Sequence, residues 1–300
     1  MDRKNFIKKS ILAGLSGTMI PAIAKSKEIS PKSTYDKLMH QVGFNHLPAC
    51  KSDLPNKKGK EMMNTVLHKA HTRGAANHGW LEANHTFSFA NYYNPERMNF
   101  GVLRVLNDDK IAPSRGFGTH PHDNMEIVSI PLEGALEHKD SMGNGAVVQY
   151  GDVQVMSAGT GIQHSEYNAH DDQDMKLLQI WLFPNKRNVK PRYDQISVKS
   201  IEKKNEFYQV LSPNADDQGV WIHQDAWFHL GDFDKEINTS YKINKPGNGV
   251  YAFVIQGDAE IAGQPLSTRD GFGIWNVDEF EIKADKDSRI LLMEVPMDLS

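Results

Sequence analysis

The chain of 300 residues contains one cysteine, Cys50. A single thiol excludes an intramolecular disulfide, a cysteine-built zinc site and a haem-attachment motif, so any metal must be held by histidine and carboxylate. The LPAC segment around Cys50 lacks the preceding apolar stretch of a lipidation signal, and Cys50 reads as an ordinary free cysteine. Charge of one sign is also scarce. The formal net charge is -4 and no long basic run supplies the clustered Lys and Arg that phosphate contacts need. Nucleic acid is not an expected partner. The apolar run ILAGLSGTMIPAIA is too short for a span of about 20 residues and is interrupted by Gly14, Gly17 and Pro21, so no stable membrane anchor is expected. Long amphipathic helices are missing, and after His229 there is no histidine at all.

What is present begins with a tripartite N-terminus. Arg3, Lys4, Lys8 and Lys9 precede the apolar run, which ends in the small-x-small site Ala22-Ile23-Ala24. Residues 1–24 therefore read as an export signal that is removed. The order Arg3-Lys4-x-Phe6-Ile7-Lys8 resembles the twin-arginine type, with Lys in place of the second Arg. Export to the periplasm is the expectation, with a cytoplasmic location as the alternative. Residues 25–64, rich in Lys, Ser, Pro and Asn, read as a linker.

From about Val66 the pattern changes to short strand-like runs separated by turns: MNFGVLRVL, MEIVSIPL, AVVQYGDVQVM and KLLQIWLF. This is the spacing of an all-β sandwich or barrel. DSMGNGA, at 140–146, predicts a hairpin in which Asn-Gly supplies the positive φ angles. An internal repeat follows, because Leu132-Glu133-Gly134-Ala135-Leu136-Glu137 is echoed by Ile255-Gln256-Gly257-Asp258-Ala259-Glu260. Gly151-Asp152 and Asp270-Gly271 extend the match. The division predicted is a first barrel over 65–196 and a second over 197–300.

Side chains at i and i+2 of a strand share a face, so His120 and His122 aim into one volume. A lone His-x-His is more often incidental than metal-binding. Here SAGTGIQHSEYN adds His164 and Glu166 at the same spacing after its own glycine-rich turn. Three imidazoles and a carboxylate suit a first-row transition metal and fit calcium poorly. Of the other histidines, His138 reads equally as pocket-facing or as a surface or hydrogen-bonded group. His78 and His85 read as structural, and His223 and His229 are too sparse for a site. Leu177 to Phe183 reads as a core strand closing the first barrel, with Trp181 as packing.

HPHDNMEIV, LEGALEHKDSMGNG, GDVQVMSAGTGIQHSE and the upstream HGWLEANHTFSFANYYNPERM resemble the pirin family, a bicupin group of the cupin superfamily. The likeness runs from about Thr65 to the C-terminus and includes the later IHQDA. It implies two tandem cupin barrels, of which the first holds one divalent metal through His120, His122, His164 and Glu166 and the second holds none. Fe2+ is the metal implied, with Mn, Co, Ni, Cu or Zn as alternatives. A general cupin pattern would take Glu126 as the carboxylate ligand; the pirin pattern takes Glu166 and leaves Glu126 a bystander. The resemblance also implies a dioxygenase of the quercetinase type, opening a flavonol with O2 and releasing carbon monoxide, with Glu166 as the catalytic proton acceptor. Its partners would be a small phenolic substrate and O2, and the chain is expected to be a monomer. Two other readings remain: a redox-sensitive binding or regulatory protein, and an oxygenase acting on another phenolic or enolisable compound.

Overall fold

The computed structural model describes residues 62–299. The expected export signal and nearly all of the predicted linker lie outside them. The described chain folds into strands, accompanied only by single turns of 3-10 helix at Ala70–Thr72 and Val198–Ser200. The strands of its first half are β1 (Asn64–His68), β2 (Gly74–Asn77), β3 (Leu81–His85), β4 (Leu103–Ile111), β5 (Gly116–His122), β6 (Glu126–Glu133), β7 (Ala135–Asp140), β8 (Gly145–Gln149), β9 (Asp152–Ser157), β10 (Ile162–Asn168), β11 (Met175–Leu182) and β12 (Arg192–Ser197). Those of the second half are β13 (Phe207–Ser212), β14 (Val220–Trp221), β15 (Trp227–Phe233), β16 (Ile237–Lys242), β17 (Asn248–Gln256), β18 (Asp258–Ile261), β19 (Gln264–Ser267), β20 (Gly271–Trp275), β21 (Glu279–Ala284) and β22 (Ser288–Pro296).

Each half forms a barrel from a seven-stranded and a four-stranded sheet. In the first barrel the orders are β12-β9-β6-β11-β4-β3-β2 and β5-β10-β7-β8; in the second they are β1-β20-β17-β22-β15-β13-β14 and β16-β21-β18-β19. The two orders correspond strand for strand except at one edge, where β2 pairs antiparallel with β3 but β14 pairs parallel with β13, so the two tandem barrels expected from the repeat are present. Gly134 and Gly257 occupy the same turn with φ of 75° and 77°, a left-handed conformation that glycine adopts without a Cβ penalty.

Two local expectations need correction. β1, which the sequence assigns from residue 65 to the start of the first barrel, pairs antiparallel with β20 of the second barrel along its whole length. The reason lies at the far end of the first barrel, where β12 already occupies the corresponding edge beside β9. A buried hydrogen bond of 2.8 Å between His68 Nδ1 and the Tyr251 hydroxyl anchors β1 there. The hairpin at 140–146 exists, but Gly143 (φ 93°), not Asn144, takes the positive φ. The Asp140 carboxylate organises that turn by accepting from the Met142 and Asn144 backbone amides and the Asn144 side chain.

Strand alternation then sorts the core. On β4, β6 and β11 one face, with Leu106, Val128, Ile130, Leu178 and Ile180, packs against Leu230, Phe253 and Leu291 of the other barrel. Asp108 also points outward and pairs with Arg73 at 3.2 Å and with Arg269 of the second barrel at 3.0 Å. The opposite face of the same strands lines the interior of the first barrel, where the candidate site lies.

Candidate metal centre

β5 and β10 are antiparallel neighbours, with His120 opposite His164 and His122 opposite Ile162. The register slips between His164 and Glu166, so that Phe117 faces Glu166 while His120 faces His164. β5 thus carries one extra residue, a bulge that lets Phe117 and His120, three apart, both face inward. Gly116 permits the close approach of the strands, since a Cβ there would collide with the Glu166 carbonyl. The glycine therefore serves strand contact instead of a turn into β5.

The outcome is a buried triad. The His120, His122 and His164 rings have centroids 4.9, 4.4 and 4.8 Å apart pairwise, and one nitrogen from each lies within 4.8 Å of the others. His120 Nδ1 donates to the Gly118 carbonyl at 2.8 Å, which makes Nε2 its ligand atom. His164 Nδ1 lies 3.2 Å from His138 Nε2, and His164 Nε2 is buried without a protein partner. Burial lowers all three pKa values, His122 to about 3, with neighbouring imidazoles adding to the shift for His122 and His164. Neutral imidazole is the ligating form. The nitrogens, their convergence and the unpartnered Nε2 fit a transition metal.

Glu166 enters the same chamber but is not one of the three converging groups. Its carboxylate accepts from the Gln179 amide at 3.0 and 2.8 Å, and the Gln179 oxygen accepts from the Ser129 hydroxyl at 2.9 Å. Burial pushes Glu166 up to about 7, against the pull of these hydrogen bonds toward the charged form. Glu126 lies elsewhere. It shares its strand face with Val128 and Ile130 and is bonded to Ser157 at 2.6 Å, pointing into the layer between barrels. Burial raises it, too, to about 7.

His138, open from sequence, is fully buried, bonded to His164 and packed on Tyr193 at 4.9 Å. A metal on His164 Nε2 would keep the hydrogen on Nδ1, and His138 would accept it, fixing ring orientation. Beside the triad lies a cavity of about 500 Å3 walled by Trp80, Phe89, Tyr92, Phe117 and Trp181. Trp181 packs edge-on against His122 and Phe89, as a core residue would, and also lines this space. His78 and His85 border it as well, His85 bonded to Asn107 at 2.8 Å. Neither His223 nor His229 comes near it.

Sequence reasoning missed Asn107, Asp109, Ser129 and Gln179. Their signal was a polar breach of alternation. On β4 the inward series Val105, Asn107, Asp109, Ile111 places two polar groups among apolar ones, and β11 does the same with Leu177, Gln179, Trp181. His85, Asn107, Gln179, Ser129 and Gln154 lie directly opposite one another across five adjacent strands, a polar row inside the barrel.

Residues 66–182 match the pirin family profile, and residues 209–295 match the quercetinase C-terminal cupin domain. The chain is 46% identical over 230 residues to a quercetin 2,3-dioxygenase of Escherichia coli, covering 77% of this chain and 98% of that one. The chain belongs to the pirin family. A pirin-like protein of Caulobacter vibrioides is 39% identical, with 74% of this chain and 95% of that one covered. The crystal structure of the bacterial pirin YhhW from Escherichia coli in complex with nickel(II) superposes with a TM-score of 0.73 at 44% identity, covering 78% of this chain and 99% of that one. Pirin membership agrees with the sequence resemblance and with a metal site in one barrel.

Proposed function

We propose that this chain is a metal-dependent dioxygenase that opens the central ring of a flavonol such as quercetin with O2, releasing carbon monoxide. One observation carries the reading: three neutral imidazoles converge beside an aromatic-walled cavity of about 500 Å3, with Glu166 in the same chamber. The names of the similar proteins support it. His120, His122 and His164 would hold the metal, with Glu166 of the same chamber as the proposed fourth ligand. Fe2+ is the proposed ion. When bound, a divalent ion would supply Lewis acidity toward a substrate hydroxyl and a redox partner for O2.

The remaining work belongs to side chains. Trp181, Phe89 and Phe117 offer flat apolar surfaces to a planar aromatic substrate and exclude water. Glu166 is the carboxylate placed in the chamber to take a flavonol hydroxyl proton and return it. Gln179 holds the carboxylate in place, and Ser129 holds Gln179.

The test is O2 uptake and carbon monoxide release on quercetin by the iron-loaded protein. His122→Ala should lose both metal and turnover; unchanged turnover in a variant shown to be metal-free would overturn the reading. Export is part of the proposal, since residues 1–24 have the plan of a cleaved signal. Finding the uncleaved chain in the cytoplasm would refute it.

A further inference from the structure

Asp109 stands apart from the polar groups around it. It faces the interior from β4, is 5% exposed and lines the cavity. Its cross-strand neighbours are Ala83 on β3 and Leu177 on β11, neither of which can accept or donate a side-chain hydrogen bond. Asp109 Oδ1 is accordingly buried with no partner. Nearby polar side chains are committed to one another: Asn107 to His85, and Gln179 to both Glu166 and Ser129.

A buried polar atom without a partner costs stability, because the water it gave up is not replaced. The fold itself does not need the group. By strand register the counterpart of Asp109 in the second barrel is Gly231, because Leu177 of β11 corresponds to Ile290 of β22, which pairs with Gly231. A destabilising carboxyl facing a cavity, in a position the same fold fills with no side chain, points to a ligand.

We propose that Asp109 is a recognition group for the substrate, hydrogen-bonding a phenolic hydroxyl on a part of a planar ligand away from His120, His122 and His164. Burial, with Asp108 and Glu166 close by, pushes its carboxyl well above the usual carboxylate range, in keeping with a donor. Two residues along a strand advance the chain by about 6.6 Å, so Asp109 meets a different portion of the ligand from the one beside Asn107 and Gln179. The ligand class is a hydroxylated flavonoid or a similar polyphenol. This inference rests on the cavity being the substrate site.

The experiment uses the metal-loaded protein without O2, so that binding is read without turnover, through quenching of tryptophan fluorescence. Two ligands are compared: quercetin and 3-hydroxyflavone, which keeps the hydroxyl and carbonyl nearest the reacting carbon and lacks the others. Asp109→Leu should weaken quercetin about tenfold to a hundredfold and 3-hydroxyflavone less than about threefold, with metal content unchanged. Asp109→Asn, which retains an N–H donor, should bind quercetin within about threefold of the parent. Without ligand, Asp109→Leu should raise Tm by about 2–4 °C, because it removes the unpaired group. Equal quercetin affinities in parent and Leu variant would overturn this inference and leave the dioxygenase reading standing. Equal losses for both ligands with a lowered Tm would also overturn it, marking Asp109 as structural. A parent that binds no flavonol would bring down the dioxygenase reading and this one together.

Discussion

The two barrels share turns, strand order and register but differ in what they enclose. Aligned from the Gly134 and Gly257 turns, the positions of His120, His138, His164 and Glu166 are taken in the second barrel by Tyr241, Ile261, Phe280 and Ile282. The polar row changes in the same way. Asn107, Gln179, Ser129 and Gln154 become His229, Leu292, Ala252 and Phe272. Seven of these eight replacements, all but His229, belong with eight further buried residues to one apolar cluster. The second barrel is therefore an internal reference: the same strand scaffold folds around an apolar interior, so the fold does not demand the polar interior groups of the first barrel.

The largest effect should come from installing a second-barrel residue in the first. His164→Phe should abolish metal binding, read as metal per chain, while circular dichroism keeps the strand signal; His229→Phe should leave metal content unchanged. Full metal occupancy in the Phe variant would break the comparison.

Next is the contact that joins the barrels. Asp108→Ala leaves Arg73 and Arg269 unpaired, at 6% and 21% side-chain exposure. Removing the shared partner of such a buried ion pair should cost about 3 kcal/mol in urea unfolding. A second transition on unfolding would show the barrels coming apart before they melt.

Smaller again is the loss of His138. His138→Ile, copying Ile261, should weaken metal affinity about tenfold to a hundredfold, as loss of a partner behind a ligating histidine does. An unchanged metal dissociation constant would remove His138 from the site and leave it as packing.

The smallest contrast is in pH. His122 and His138 have folded pKa values of about 3 and 4 against 6.5 for the free side chain, with burial as the main cause. A lowered folded value means stability present above about pH 6.5 that drains away as pH falls toward 4. Glu166 and Glu126, raised to about 7 from 4.5, act in the opposite sense, contributing fully below about pH 4.5 and losing that contribution as pH rises through 7. In the second barrel the groups acting on the acid side are His229 and, on β1, His68, each lowered to about 4, together with His223, also lowered; none of them lies on β16 or β21. In metal-free protein, hydrogen exchange in β5 and β10 should therefore rise more between pH 6.5 and 4 than in β16 and β21. Equal rises would mean that the buried histidines do not distinguish the barrels.

Much of this was legible in the residues. Alternation and turn glycines announced an all-β chain, the Gly134 and Gly257 turns announced two copies, and the i, i+2 pairs marked His120, His122, His164 and Glu166 as sharing a chamber. The lack of histidine after His229 set the barrels apart chemically. These are local facts, since strand periodicity alone says which side chains share a face. Which faces meet is decided by cross-strand register and by the free edge a strand finds, and both depend on residues far apart in the chain. Only the tertiary structure could send β1 to the second barrel, set Gln179 against Glu166, place His138 behind His164 and leave Asp109 without a partner.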